Sequence, residues 1–278
     1  MREDIKSMTQ EEIAQALVAM GEKPFRGRQI FAWLHRGVRS FEEMTDIGKD
    51  LRRKLEGAFY ITAPAVERKQ VSRLDGTVKY LWRLGDGNCI ETVLMSYHHG
   101  NTVCVSSQVG CRLGCAFCAS PPGGKVPDRR PPALRDRCRF PHLDGGEMIP
   151  HCVLMGIGEP LDNLDNVLRF LELVNHPQGL NIGMRHISLS TCGILPGIRR
   201  LGELGLQLTL SVSLHAPDSE TRSRIMPVNR AYDVDALVKA CHEYFQSTGR
   251  RILCGYAYFD GLNAPHRAAV LIVAELLG

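Results

Sequence analysis

The sequence predicts an α/β protein whose main part is an open, partial (β/α) barrel, preceded by a small helical domain and a β-meander. Three observations predict it. After Pro150, short apolar strands alternate with amphipathic helices; between Ala63 and Gln108 the apolar period is two; before that, helix-start signals recur. The expected boundaries are 1–62 for the helical domain, 63–101 for the meander and 102–278 for the barrel, with an irregular segment at 121–143.

In the helical domain, Thr9 and Glu12 have the spacing of a capping box, and Ala14, Leu17 and Val18 continue an apolar face that Gly21 ends. A second helix is expected over Arg28–Leu34, with Ile30, Phe31 and Leu34 on one face. Ser40 with Glu43 reads as another capping box, and Ile47–Leu55 as a third helix studded with basic residues. The strand candidates that follow are Ala65–Arg73, Val78–Leu84, Ile90–Tyr97 and Thr102–Gln108. Asp75-Gly76, Asp86-Gly87-Asn88 and His98-His99-Gly100-Asn101 separate them with hairpin-turn chemistry.

The barrel then proceeds through a strand at Cys152–Met155 and a helix with Val167, Phe170, Leu171 and Val174 on one stripe. Next come a strand at His186–Ser190, a helix at Ile198–Leu204, a strand at Leu208–Leu214 and a helix at Val234–Gln246. A strand at Arg251–Phe259 and a helix at His266–Leu277 close the series. Parallel strands joined by crossover helices place functional groups at the carboxyl ends of the strands. Counting Thr102–Gln108, five strands are too few for an eight-stranded barrel, hence the open form. The run from Pro121 to His142, rich in proline and arginine, fits neither period and reads as a basic loop.

Composition narrows the function. The 44% hydrophobic and 23% charged fractions are those of a globular protein, and no apolar stretch approaches the roughly 20 residues of a membrane span. The polar N-terminus lacks the features of a secretory signal, so a cytoplasmic protein without a membrane partner is expected. The net charge of +4, clustered at Lys49-Arg52-Arg53-Lys54, Arg199-Arg200 and Arg250-Arg251, permits an RNA partner but does not require one. Ten cysteines in a reducing compartment point to metal ligands or catalytic thiols rather than a disulfide framework. Cys89, Cys152, Cys192, Cys241 and Cys254, single among apolar residues, read as buried structural thiols.

Cys111, Cys115 and Cys118 are different. Their C-x3-C-x2-C spacing directly follows a strand, and thiolates suit iron–sulfur clusters and zinc. Four-iron clusters are usually held by four cysteines, so three leave one iron open to a small molecule. Gly114 relieves crowding in the loop and Phe117 can shield a cluster from water. A zinc site completed by a distant histidine and three unrelated core thiols are the alternatives.

This motif, placed after the first strand of a βα array, resembles the radical S-adenosylmethionine (radical SAM) superfamily. The stretches PFRGRQIFAWLHRGV, IETVLM, CVSSQVGCRLGCAFCAS, VLMGIGEPLDNLDNVLRF, RHISLSTCGILPGIRRL and SVSLHAPDSETRSRIMPVNR resemble the bacterial dual-specificity 23S rRNA and tRNA adenine-C2 methyltransferases. They resemble the C8-methylating antibiotic-resistance relatives less closely. The resemblance implies a partial barrel of the radical SAM type and a 4Fe–4S cluster on Cys111, Cys115 and Cys118. It implies S-adenosylmethionine held by Gly158 and Glu159, by Ser190, and by Ser213, Leu214 and His215. The bare residues admit tight-turn and strand-end roles for the same positions. It further implies that Glu91 is a general base, which apolar surroundings would suit by raising its pKa. Cys104 is implied as the thiol that releases the product by forming a disulfide with a methyl-carrying cysteine. RNA (23S rRNA and tRNA) is the implied substrate, and an electron donor such as flavodoxin the implied partner of a monomer.

The implied function is methylation of C2 of an adenine, where a carbon radical succeeds because C2 is not nucleophilic. Two departures from the family's pattern stand beside it. The family's chain continues with another strand, a SAM-contacting asparagine and the carrier cysteine, so a chain ending at Gly278 is expected to be C-terminally truncated and impaired in turnover. The segment 121–143 stands where the family has a helix, as a compensated reading-frame shift would leave it. The competing expectations are a non-catalytic RNA-binding remnant and a radical SAM enzyme with another substrate.

Overall fold

The computed structural model describes residues 2–120 and 149–263, which form two compact units. The first unit comprises 2–105 with 149–152 and 165–183, the second 106–120, 153–164 and 184–263. The expected basic loop and the expected last helix lie outside the described residues.

In the first unit a two-residue strand β1 (Glu3–Asp4) runs parallel to β2 (Phe59–Tyr60) and joins the start of the helical domain to its end. Helix α1 (Gln10–Ala19) begins where the sequence places it. Thr9 Oγ1 accepts from the Glu12 amide at 3.2 Å, and Glu12 Oε2 accepts from the Thr9 amide at 2.8 Å. Helix α2 (Arg26–Arg36) buries Ile30, Phe31 and Leu34 and ends at Gly37, whose φ of 87° is the left-handed cap a Cβ would disfavour. The Ser40–Glu43 capping box also forms, but it starts only a 3-10 turn, Phe41–Glu43; helix α3 begins later, at Lys49, and runs to Ala58. These helices share one apolar core, Ile13, Leu17, Phe31, Leu51 and Leu55 among its members, completed by Leu173 of helix α4 (Leu164–Asn175). Three basic residues of α3 are paired: Arg52 with Glu42, Arg53 with Asp50 and Lys54 with Glu22.

The meander follows as antiparallel strands β3 (Ala65–Val71), β4 (Val78–Arg83), β5 (Cys89–Tyr97) and β6 (Gly100–Val105). Period two places Tyr80, Trp82, Ile90, Thr92, Val103 and Val105 on the buried face. Strand β6 ends at Val105, three residues short of the expected Gln108, because the Ser107 and Gln108 amides turn to the Ile157 carbonyl. Strand β7 (His151–Leu154) follows in the chain.

The second unit contains parallel strands β8 (Ile187–Thr191), β9 (Thr209–Ser213) and β10 (Ile252–Gly255), with Ser190 opposite Ser211 and Gly255 opposite Ser213. Helix α5 (Leu195–Glu203) crosses from β8 to β9, and α7 (Val234–Thr248) lies between β9 and β10. Leu189, Leu210 and Val212 bury one face of the strands. A short helix that the sequence pattern did not suggest, α6 (Ser219–Ile225), is started by Asp218, whose side chain accepts from the Thr221 amide at 2.7 Å. The expected strand Arg251–Phe259 is shorter, since Asn263 bonds to Ala257 and Phe259 and curls the chain after Gly255. Cys152, Cys192 and Cys241 are buried as expected, whereas Cys89 and Cys254 are exposed; alternation along β5 puts Cys89 outward beside the buried Ile90.

Candidate functional site

The cluster loop, the loop carrying Gly158 and Glu159, and the ends of β8 and β9 all belong to the second unit. The cysteine loop is held at both ends. The Arg112 guanidinium pairs with Asp162, and the Ala116 amide donates to the Ile225 carbonyl at 2.9 Å. Leu113 and Cys115 pack against Cys192, Ala216, Ile225, Met226 and Val228. Gly114 adopts φ 64°, which frees the loop to turn between its first two cysteines. The Phe117 ring lies edge-on to the His215 ring at 5.0 Å and tilted to the Phe259 ring at 5.1 Å, centroid to centroid.

The three thiols are electrostatic neighbours. Burial pushes the Cys115 thiol up to about 11, with the nearby Cys111 and Cys118 sulfurs adding to it; burial likewise raises Cys111. Yet among the described residues no three histidine, cysteine or acidic groups converge closely enough to hold a single metal ion. An all-thiol donor set within one loop is the chemistry of an iron–sulfur site, and three cysteines fit a 4Fe–4S cluster with one iron free.

Within the second unit, the Gly156–Pro160 loop is locked against Ser107 and Gln108. Gln108 accepts from the Glu159 amide at 2.9 Å and donates to Asp162 at 3.1 Å, and the Asn163 amide group donates to the Ser107 carbonyl at 3.0 Å. Gly158 has φ 104°, and a Cβ there would lie 2.7 Å from Gln108 backbone and side-chain atoms. Gly158→Ala is therefore expected to cost about 3 kcal/mol, combining left-handed strain with a backbone clash. Urea unfolding checks it; a wild-type midpoint would mean that this loop does not approach Gln108 as described.

The resemblance implied that Gly158 and Glu159 receive the amino end of S-adenosylmethionine through backbone groups and a carboxylate. In this structure Glu159 is 3% exposed, and its two carboxylate oxygens accept from the Leu161 amide at 3.0 Å and the Cys192 amide at 2.8 Å. Burial raises its pKa against those bonds. The carboxylate thus ties the loop to the end of β8, and the Glu159 amide and carbonyl are bonded to Gln108 and to the Asp162 amide.

Ser190 and Ser213 are half-buried at the ends of β8 and β9. With Ser188 and Ser211, whose hydroxyls are 3.1 Å apart, they form a hydroxyl-bearing face opposite Leu189, Leu210 and Val212. The S-L-S and S-V-S alternation carries that signal, although only two of the four serines were singled out. Leu214 is buried and its amide donates to the Gly255 carbonyl at 3.0 Å. His215 holds φ 57°, a conformation non-glycine residues rarely adopt. Its Nδ1 accepts from the Ala257 amide at 2.9 Å, leaving Nε2 as the donor, and burial followed by the Arg222 charge lowers its pKa. A neutral imidazole donor at a strand end suits a polar ligand.

Glu91 and Cys104 lie in the first unit. Cys104 is opposite Val93, which puts it on the same half-exposed face of the meander as Glu91. The apolar surroundings expected for Glu91 are absent: its carboxylate is 37% exposed and paired with Lys79 at 2.6 Å, because period two brings the Lys79 side chain to the same face. Among the described residues no two cysteines are joined, so the disulfide implied for Cys104 is not present.

Comparison with known proteins matches residues 3–61 to the ribosomal RNA large subunit methyltransferase N-terminal domain and residues 105–268 to the radical SAM superfamily. The chain is 46% identical over 266 residues to the probable dual-specificity RNA methyltransferase RlmN of Alkaliphilus metalliredigens, covering 96% of this chain and 76% of that protein. It is 47% identical over 261 residues to the protein of the same description from Lachnoclostridium phytofermentans, covering 94% and 73%. The crystal structure of a radical SAM methyltransferase from Sphaerobacter thermophilus superposes with a TM-score of 0.91 at 36% identity, covering 99% of this chain and 82% of that one.

Proposed function

Because this chain belongs to the RlmN family of radical SAM RNA methyltransferases, we propose that it serves methylation of C2 of an adenine in 23S rRNA and tRNA. The observation that carries the reading is the loop of three adjacent thiols, with Phe117 against His215, beside the hydroxyl-bearing ends of β8 and β9. Cys111, Cys115 and Cys118 would hold the 4Fe–4S cluster. Bound there, the cluster supplies one electron for reductive cleavage of S-adenosylmethionine, and so the radical chemistry that an electron-poor carbon requires.

The protein's own groups do the rest. Gly158 receives the ammonium of S-adenosylmethionine through its backbone, the carboxylate, amide and carbonyl of Glu159 all being bonded within the protein. Ser190, Ser213 and the Nε2 donor of His215 orient its hydroxyl and carboxylate groups, while Leu214 keeps water from the strand end. Glu91 acts as the base, its half-exposed carboxylate held on that face by Lys79. Cys104 provides the thiol that releases the product. RNA and a one-electron donor such as a flavodoxin are the partners, in the cytoplasm. Among the described residues no helix is long and apolar enough to cross a membrane.

Anaerobic reconstitution with iron and sulfide, followed by assay with S-adenosylmethionine and 23S rRNA fragments, tests the proposal. A brown protein that forms 5′-deoxyadenosine and 2-methyladenine is expected. Cofactor cleavage without 2-methyladenine would sink RNA methylation by this polypeptide, and a colourless RNA binder would sink the enzyme reading altogether.

A further inference from the structure

The mechanism above leaves a buried charge beside the cysteine loop unused. Arg222, on α6, is 0% exposed. Its Nε donates to the Leu214 carbonyl at 3.0 Å, one Nη to Asn229 Oδ1 at 3.2 Å, and the other Nη to the carbonyls of Ser213 (3.1 Å) and Cys192. All of these acceptors are neutral, and no carboxylate among the described residues pairs with it. A buried guanidinium whose partners are only dipoles is costly, because its charge has left water without an opposite charge in return. Burial accordingly lowers its pKa from the ordinary arginine value.

Its position indicates what balances it. One turn after Arg222, the Ile225 carbonyl accepts the amide of Ala116 inside the cysteine loop, and Ile225 and Met226 share an apolar contact group with Cys115. Arg222 also holds the carbonyl of Cys192, which belongs to the same contact group as Cys115. A 4Fe–4S core with three thiolates carries net charge −1 when oxidised and −2 when reduced. We propose that Arg222 is the buried counter-charge of the cluster held by Cys111, Cys115 and Cys118, and that it raises the cluster's reduction potential. The inference rests on the cluster reading of the preceding section and adds a residue that acts through the cluster rather than on substrate. The physics is that of any fixed cation beside a redox group: it stabilises the state with one more electron. Taking one electron from a reductant such as dithionite makes and breaks no bond here; the added charge is simply met by the guanidinium. Glu159, the other buried charge at this end of the strands, bonds the amide of Cys192, whose carbonyl Arg222 holds, and acts in the opposite direction.

The test is a redox titration of the reconstituted protein followed by electron paramagnetic resonance, on wild type, Arg222→Met, Arg222→Lys and Asn229→Asp. Arg222→Met removes the charge. Asn229→Asp keeps the guanidinium but sets an anion against it, so it decides the matter if Arg222→Met does not fold. Both are expected to make the reduced cluster about tenfold less favoured, a fall of about 59 mV for one electron. Arg222→Lys, which keeps the charge but loses the fork that ties the strand ends, stays near wild type in potential. Unchanged potentials in the loaded variants overturn the proposal and leave a purely structural arginine. A wild-type protein that takes up no cluster overturns the cluster reading itself, and this inference with it.

Discussion

Cys115→Ala is expected to abolish reductive cleavage of S-adenosylmethionine, by at least ~100-fold, while leaving the protein folded. Changes to groups one shell removed from a metal typically cost 10- to 100-fold in affinity or activity, so loss of one of only three ligands should cost more. The fold loses little: Cys115 contributes a small, half-buried side chain to the contact group of Cys192, Ile225 and Met226, and its truncation should cost about 1 kcal/mol. The two effects separate cleanly, iron content and 5′-deoxyadenosine formation collapsing while the thermal midpoint moves by a few degrees. Cys111→Ala and Cys118→Ala should behave alike, because an incomplete set of corners cannot retain the cube. A brown Cys115→Ala protein that still cleaves the cofactor would remove the three-thiol site from the mechanism.

That site was legible in the sequence because its information is local. Three thiols inside one loop are visible as spacing, and the capping box of Thr9 and Glu12 was found for the same reason. The meander strands and the β8–β10 series likewise follow from periodicity, which burial enforces residue by residue. What escaped depends on long-range partners. Arg222 sits in α6, seven residues whose SETRSRI pattern has no apolar stripe, so neither the helix nor the buried guanidinium was foreseen. The apolar surroundings that would have suited Glu91 are absent because of the cross-strand Lys79, which is invisible to a one-dimensional reading. The partners of the Glu159 carboxylate escaped for the same reason, since the Cys192 amide that claims it lies 33 residues along the chain.

The orientation of Glu159 has the larger structural consequence. Glu159→Ala is expected to destabilise the second unit by about 2–5 kcal/mol, because it strands the buried amides of Leu161 and Cys192, each costing about 1–3 kcal/mol when unsatisfied. Glu159→Gln should cost less, since its carbonyl oxygen still accepts one amide, although its NH2 then faces the other donor. A pH series distinguishes this from loss of a ligand contact. With its folded pKa raised by burial, the wild-type carboxyl holds its proton longer in the folded than in the unfolded protein. Stability therefore falls as pH rises above the ordinary carboxylate value of 4.5 towards the raised folded value. Glu159→Gln cannot titrate there, so the wild-type margin over it should narrow with rising pH in urea unfolding of the ligand-free protein. A Glu159→Ala protein as stable as wild type, or a margin that widens with pH, would return the carboxylate to the ligand side of the loop and take from Gly158 its exclusive claim on the incoming ammonium.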